Sequence, residues 1–196
     1  MSKILLSANH IVQYFGERKI LEFENLNVYE GDHIGIVGVN GVGKTTLLNI
    51  LSGELTPDEG SVIRKVSVSY FKQFRERVEQ VDPQKCCKLG LSGKLSREHL
   101  SGGEMTRLGL AAMDKDSLLT FADEPTANLD ADGVELCCQI LEQCPTLLLI
   151  SHDRTVLDRL CTRIIEVKDG HLHFYPGKFA CYHEQRDQAV KRQEVE

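Results

Sequence analysis

No apolar run in this chain approaches the ~18 residues that a membrane-spanning helix needs; Leu147 to Ile150 is typical of the longest. No charged-then-apolar leader opens it, because Met1-Ser2-Lys3 passes straight into alternating residues, and a secreted destination is not expected. Positive charge is not in excess: 29 acidic residues against 23 basic ones leave −6. A net cationic field for nucleic acid is thereby excluded, and free DNA is not an expected partner. Seven cysteines, Cys86, Cys87, Cys137, Cys138, Cys144, Cys161 and Cys181, contain no C-x-x-C pair. No His or Cys stands at zinc-ligand spacing from the two adjacent pairs. Reduced packing cysteines in a cytoplasmic protein are the expectation, in place of a disulfide framework or a zinc site. Internal repeats and low-complexity tracts are absent too. What is present is 196 residues with 41% hydrophobic and 27% charged side chains, enough for one large domain with a core and a solvated surface.

The chain opens with two β segments, Ile4 to Tyr14 and Ile20 to Val28, joined through Phe15-Gly16-Glu17. Gly31-Asp32 turns into the apolar run His33 to Val37, bounded as a strand buried on both faces is bounded. A glycine-rich loop follows, and Thr45 to Leu51 is apolar at helical spacing up to Gly53. Pro57 to Gly60 reads as a turn, and Val62-Ile63 and Val66 to Tyr70 as short strands. Residues 74–99 are charged, contain Pro83 and two glycines, and read as a small, partly helical insert. A helix near Gly103 to Met113, a strand at Leu118 to Ala122, a helix at Asp132 to Leu141 and a strand at Thr146 to Ile150 come next. Ile164 to Val167, His171 to Tyr175 and a charged helical stretch from Phe179 complete the order. Strands alternating with helices predict an α/β domain with a mostly parallel sheet covered on both faces.

Three motifs carry chemistry. Gly38-Val39-Asn40-Gly41-Val42-Gly43-Lys44-Thr45, followed by Thr46, fits the phosphate-binding loop pattern between a strand and a helix. Its glycines let backbone N–H groups converge on phosphate oxygens, and the helix N-terminus adds partial positive charge. Lys44 is suited to the β- and γ-phosphates of ATP and Thr45 to Mg²⁺. Leu118 to Pro125 ends a strand in two acids, where open α/β sheets hold their ligands. Asp123 is suited to holding Mg²⁺ through water, and Glu124 to orienting or deprotonating an attacking water. Leu100-Ser101-Gly102-Gly103-Glu104 precedes a helix, so its serine and backbone amides form another anion-binding nest.

With these three motifs in order, the chain resembles an ATP-binding cassette (ABC) ATPase, and Leu100 to Glu104 looks like that family's signature. The resemblance implies an ABC-type P-loop NTPase core with an N-terminal antiparallel β subdomain and a short helical insert. It matches Phe15 to the aromatic that stacks on adenine, with Tyr14 as the alternative. It matches Gln73 to the glutamine that touches Mg²⁺ and senses the γ-phosphate. Ala127-Asn128-Leu129-Asp130 matches the loop that closes against a partner cassette, and Asp130 is also placed to cap the next helix. His152 matches the histidine that contacts the γ-phosphate. In this family ATP sits between the phosphate loop of one cassette and the signature of another, so Ser101, Gly102 and Gly103 serve ATP held by a partner. A second cassette, in the same longer chain or in a homodimer, is implied.

Residues 74–99 alone separate Gln73 from Leu100, which is little room for a membrane-coupling subdomain. Ser151 to Asp158 and Phe174 to Tyr182, with the charged stretch after them, resemble the ABC-F subfamily. Members are soluble proteins with two cassettes joined by a helical linker, and they act on the ribosome. The short insert resembles the branch that protects ribosomes from antibiotics. On this resemblance residues 1–182 form the cassette and 183–196 begin an interdomain linker helix. A transporter ATPase and a regulatory cassette that binds ATP as a structural switch are the alternatives. The chain departs from common members in reading Ala127-Asn128-Leu129-Asp130 for Asn-His-Leu-Asp. It also places Thr120 and Ala122 in the strand before Asp123, which is expected to soften that strand's packing.

Overall fold

The structure is a computed structural model that describes residues 3–72, 104, 117–182 and 186. Along the chain run β1 (Ile4–Phe15), β2 (Arg18–Tyr29), β3 (His33–Val37), α1 (Lys44–Ser52), β4 (Glu59–Arg64) and β5 (Val68–Lys72). After them come β6 (Leu119–Asp123), α2 (Ala131–Glu142), β7 (Leu147–Ile150), α3 (Arg154–Leu160), β8 (Arg163–Lys168) and β9 (His171–Pro176). The expected insert at 74–99 lies outside the described residues, and so does the helix near Gly103 to Met113 apart from Glu104, which is helical. Most of the tail beyond Tyr182 lies outside them too, although residues 179–182 are helical as the sequence implied.

Two sheets form. β2, β1 and β4 make an antiparallel sheet in that order, and the larger sheet runs β5-β6-β7-β3-β8-β9. Strands β5, β6, β7, β3 and β8 are parallel, and β9 returns antiparallel at the edge. Parallel strands need crossovers, which bring helices onto the sheet faces and bury both sides of each strand. That is why β3 and β7 read as unbroken apolar runs. Ile34, Ile36, Leu148 and Ile150 face a core shared with the β1–β2 sheet and with Leu47, Leu48 and Leu51 of α1. Leu147, Leu149 and Val37 face the opposite core, with Cys137 and Leu141 of α2 and Val156 and Leu160 of α3. Gly35 belongs to that second face: a Cβ there would stand 2.7 Å from Ile164 Cδ1 and 2.9 Å from Leu157 Cδ2.

Three sequence expectations shift. β4 begins at Glu59, inside the expected turn at 57–60, because Gly60 (φ 90) presses onto β1 and lets pairing with Val12 start early. β5 begins at Val68 instead of Val66, since residues 65–67 carry the chain from the small sheet to the large one. Helix α3 adds a short element at 154–160, capped by Asp153 accepting from the Thr155 and Val156 N–H groups. Thr120 and Ala122 are 1% and 0% exposed, and β6 is paired along both edges, to β5 and β7. Burial raises the Cys144 pKa, and the Thr120 hydroxyl opposes it as a hydrogen-bond partner.

Candidate functional site

The parallel strands end together. Lys72 of β5 lies beside Asp123 of β6, and Asp123 beside Ile150 of β7. Strand β3 ends at Val37 and releases a loop that wraps back to α1. The carboxyl edge of the sheet and the N-terminus of α1 thus meet, at the place where α/β sheets hold ligands. A cleft of about 530 Å³ opens there.

The glycines fix the loop's path. Gly38, Gly41 and Gly43 have φ of 150°, 76° and 113°, conformations that side-chain-bearing residues rarely take. At Gly38 a Cβ would stand 2.5 Å from the Val167 carbonyl oxygen, and at Gly43 2.9 Å from Ile20 Cγ2. Asn40, Gly41, Gly43, Lys44, Thr45 and Thr46 line the cleft, while Val42 packs toward the core. Lys44 is 8% exposed, and its Nζ donates to the Gly38 and Val39 carbonyl oxygens at 2.8 and 3.1 Å. Burial lowers the Lys44 pKa, against the pull of Glu124 and Asp123 nearby. A partly desolvated ammonium held over a loop of left-handed glycines, at the open N-terminus of a helix, is an anion seat.

The far wall is acidic. Asp123 Oδ2 accepts a 2.7 Å hydrogen bond from Thr45 Oγ1. Glu124 takes φ 48°, a strained value for a side-chain-bearing residue, and its N–H donates to the Ile150 carbonyl oxygen at 2.9 Å. That turn aims its carboxylate at His152: Oε1 lies 3.3 Å from Nε2, and Oε2 accepts from the His152 N–H at 3.4 Å. Oε1 is buried yet accepts no hydrogen bond. Burial raises the Glu124 pKa, with the His152 charge opposing. An orphaned, buried carboxylate oxygen at a cleft mouth is suited to accept from a water molecule. The Thr45 hydroxyl and Asp123 carboxylate supply the hard oxygen donors that Mg²⁺ prefers, so the residues present fit the metal.

At the other end of the cleft Phe15 stands 58% exposed on the lining, and Tyr14 is not part of it. Asp130 does not line the cleft; it caps α2, accepting from the Gly133 N–H at 2.9 Å. Gln73, Ser101, Gly102 and Gly103 lie outside the described residues. The cleft also contains Ile20, Asn49 and Lys72, which the motifs do not single out. Asn49 was findable, since it follows Thr45 by four residues on one helix face. Ile20 carried no signal in sequence, because only sheet packing brings β2 over the loop. Among the described residues no group of three or more His, Cys, Asp or Glu is placed to hold a metal ion, in the cleft or outside it.

Loop, acids and strand order together define a P-loop nucleotide-binding domain. Residues 21–93 match the family model described as "ABC transporter". The chain is 29% identical to the erythromycin resistance ATP-binding protein MsrA of Staphylococcus epidermidis, over 99% of this chain and 41% of that protein. It is 31% identical to the energy-dependent translational throttle protein EttA of Haemophilus influenzae, over 92% of this chain and 38% of that protein. It is 30% identical to the ribosome protection protein VmlR of Bacillus subtilis, over 99% of this chain and 37% of that protein. Among solved structures it resembles an RNase-L inhibitor, with TM-score 0.77 and 24% identity over 96% of this chain and 42% of that one. It also resembles a dimeric ATP-binding cassette bound to ADP and Pi in a post-hydrolysis state, with TM-score 0.72 and 23% identity over 87% and 98% of the two chains. These matches make the chain similar to ATP-binding cassette proteins and to the three curated relatives above. It spans about two fifths of their length. No helix among the described residues is long and apolar enough to cross a membrane.

Proposed function

We propose that this chain is the ATP-hydrolysing, Mg²⁺-dependent N-terminal cassette of a longer cytoplasmic ABC-F protein that acts on the ribosome, in antibiotic resistance by ribosome protection. The observation that carries the enzymatic reading is the buried Glu124 Oε1, which accepts no hydrogen bond, on the lining of the same cleft as the Lys44 ammonium. An anion seat and a base for water thus line one cleft of about 530 Å³. The ribosomal reading is supported by the relatives named for translational throttling, ribosome protection and erythromycin resistance.

On this reading the triphosphate lies along the loop 38–45, where backbone N–H groups, the α1 N-terminus and Lys44 take up its charge. To reach the β- and γ-oxygens, Lys44 exchanges its two loop carbonyl partners for phosphate. Thr45 and Asp123, with Gln73, would hold Mg²⁺, which neutralises phosphate charge when bound. Glu124 accepts a hydrogen bond from the attacking water and takes its proton as the Pγ–O bond forms in line with the departing ADP oxygen. His152 stands beside Glu124 and the γ-phosphate, holding the water's geometry. Phe15 covers the base. Ser101, Gly102, Gly103 and Asp130 act across the interface with a second cassette, either in the same longer chain or in a homodimer. Residues 1–182 form the cassette, and 183–196 begin the linker.

Two variants test the enzymatic half. Glu124→Gln keeps the shape of the cleft and removes the base, so ATP binding should persist while turnover falls at least ~10²-fold. Lys44→Ala should abolish tight ATP binding. Wild-type turnover in Glu124→Gln would remove Glu124 from the mechanism.

A further inference from the structure

The aromatic wall of the cleft stands largely open. Phe15 is 58% exposed at the end of β1, and the neighbouring Tyr14 side chain is 36% exposed. A ring this open takes its direction from its main chain. That main chain is irregular: the register between β1 and β2 breaks between Gln13 and Tyr14, two residues before the ring.

One carboxylate fills the break. Asp58 Oδ2 accepts from the Tyr14 N–H at 2.7 Å and from Gln13 Nε2 at 2.7 Å. Gln13 is only 4% exposed, and its amide also donates to the Tyr14 carbonyl oxygen at 2.9 Å. Both of its donors are therefore spent on this bulge, while its Oε1 stays buried without a hydrogen bond. A buried amide that leaves its acceptor unmet to make two bonds on one side is oriented by that side. Asp58 itself is anchored from behind. Two residues on, Gly60 adopts φ 90°, and a Cβ there would stand 2.3 Å from the His10 carbonyl oxygen. The turn that carries Asp58 is thus pressed onto β1, and the same turn is the exit of α1, whose N-terminus forms the phosphate seat.

From this we infer that Asp58 is a positioning residue for base recognition: through the Gln13–Tyr14 bulge it sets where Phe15 stands in the nucleotide cleft. The inference rests on the nucleotide reading of that cleft. It makes the segment from Lys44 to Asp58 fix both ends of the ligand, the phosphates through its first turn and the base through its last residue.

The test measures affinity for Mg·ATP and for magnesium tripolyphosphate, which has the phosphates and no base, by calorimetry on the purified chain. Asp58→Ala should weaken ATP binding about tenfold, on the scale of one base–aromatic stack, and leave tripolyphosphate within about twofold. Asp58→Asn keeps an acceptor oxygen facing the bulge and should restore most of the loss. In a Phe15→Ala background Asp58→Ala should add little, because the ring it positions is gone. Unchanged ATP affinity in Asp58→Ala would overturn the inference. So would equal losses for ATP and tripolyphosphate, or a full effect persisting without Phe15. A wild-type chain that binds neither ligand would instead overturn the nucleotide reading, and this inference with it.

Discussion

Thr45 Oγ1 and Asp123 Oδ2 stand 2.7 Å apart, joined by a hydrogen bond between residues 78 positions apart in sequence. One lies in the first turn of α1 and the other at the end of β6, so the pair clamps the phosphate helix to the acidic edge of the sheet. The hydroxyl donates to the carboxylate, and both groups are oxygen donors of the kind Mg²⁺ takes.

Thr45→Val removes the hydroxyl at nearly constant shape. ATP affinity measured in EDTA should change by no more than about twofold, while the gain in affinity on adding Mg²⁺ should fall at least ~10-fold, in line with the loss of a metal ligand. An unaltered Mg²⁺ dependence would place the metal elsewhere.

Two glycines of one loop should respond differently. At Gly38 an added Cβ meets backbone, 2.5 Å from the Val167 carbonyl oxygen, at φ 150°. At Gly41 nothing lies within 4 Å, and only the φ of 76° opposes a side chain. Gly41→Ala should lower stability by about 1 kcal/mol and retain measurable ATP binding. Gly38→Ala must push the loop off β8 and should lose binding altogether. Thermal melts beside ATP titrations separate the two, and equal behaviour would contradict the loop geometry.

Arg159 of α3 ties down α2: its Nε donates to Glu142 Oε1 at 2.6 Å, and its Nη2 to Glu135 Oε1 at 3.1 Å. Hydrogen bonds from Arg159 hold both carboxyls below the usual glutamate range. A carboxyl whose pKa is depressed on folding adds stability above its unfolded value, about 4.3 for Glu, and loses it as pH falls through the folded value. Arg159→Met should therefore cost stability at pH 7, and that deficit should shrink as the pH is lowered below 4. Urea midpoints of the two proteins across this range would show the convergence. A constant gap would mean that Arg159 acts through packing of its stem.

The cysteines divide by burial. Cys137 and Cys161 are 0% and 1% exposed, and burial pushes each thiol up to about 12. Cys181 is exposed. Under native conditions at pH 8, iodoacetamide should label Cys181 within minutes and reach Cys137 and Cys161 only after denaturation, as resolved by peptide mass spectrometry. Fast labelling of Cys161 would contradict the core that α3 forms with β3 and β8.

Much of the site was legible because its chemistry is written in residues with local constraints. Left-handed backbone at 38, 41 and 43 demands glycine, and the strand before it is apolar after His33 because both faces are covered. Asp123 and Glu124 stood out because acids rarely end an apolar strand without a ligand role. The contributions of Ile20, Lys72 and Asp58 were not legible, since each reaches the cleft or its wall only through tertiary pairing. The start of β4 at Glu59 was obscured for the same reason. Pro57 to Gly60 has turn composition, and only contact with β1 makes its second half a strand. Asp130 satisfies a helix cap whatever else it does, so its sequence signal has two sources.

On the proposed function, an ATP-charged form of this protein holds the ribosome. The most direct measurement uses the full natural chain carrying Glu124→Gln, with the matching glutamate of any second cassette also changed, sedimented with ribosomes with and without ATP. Co-sedimentation should require ATP and be lost in Lys44→Ala. Free protein at the top of the gradient, despite demonstrated ATP binding, would contradict it and direct the search to membrane partners.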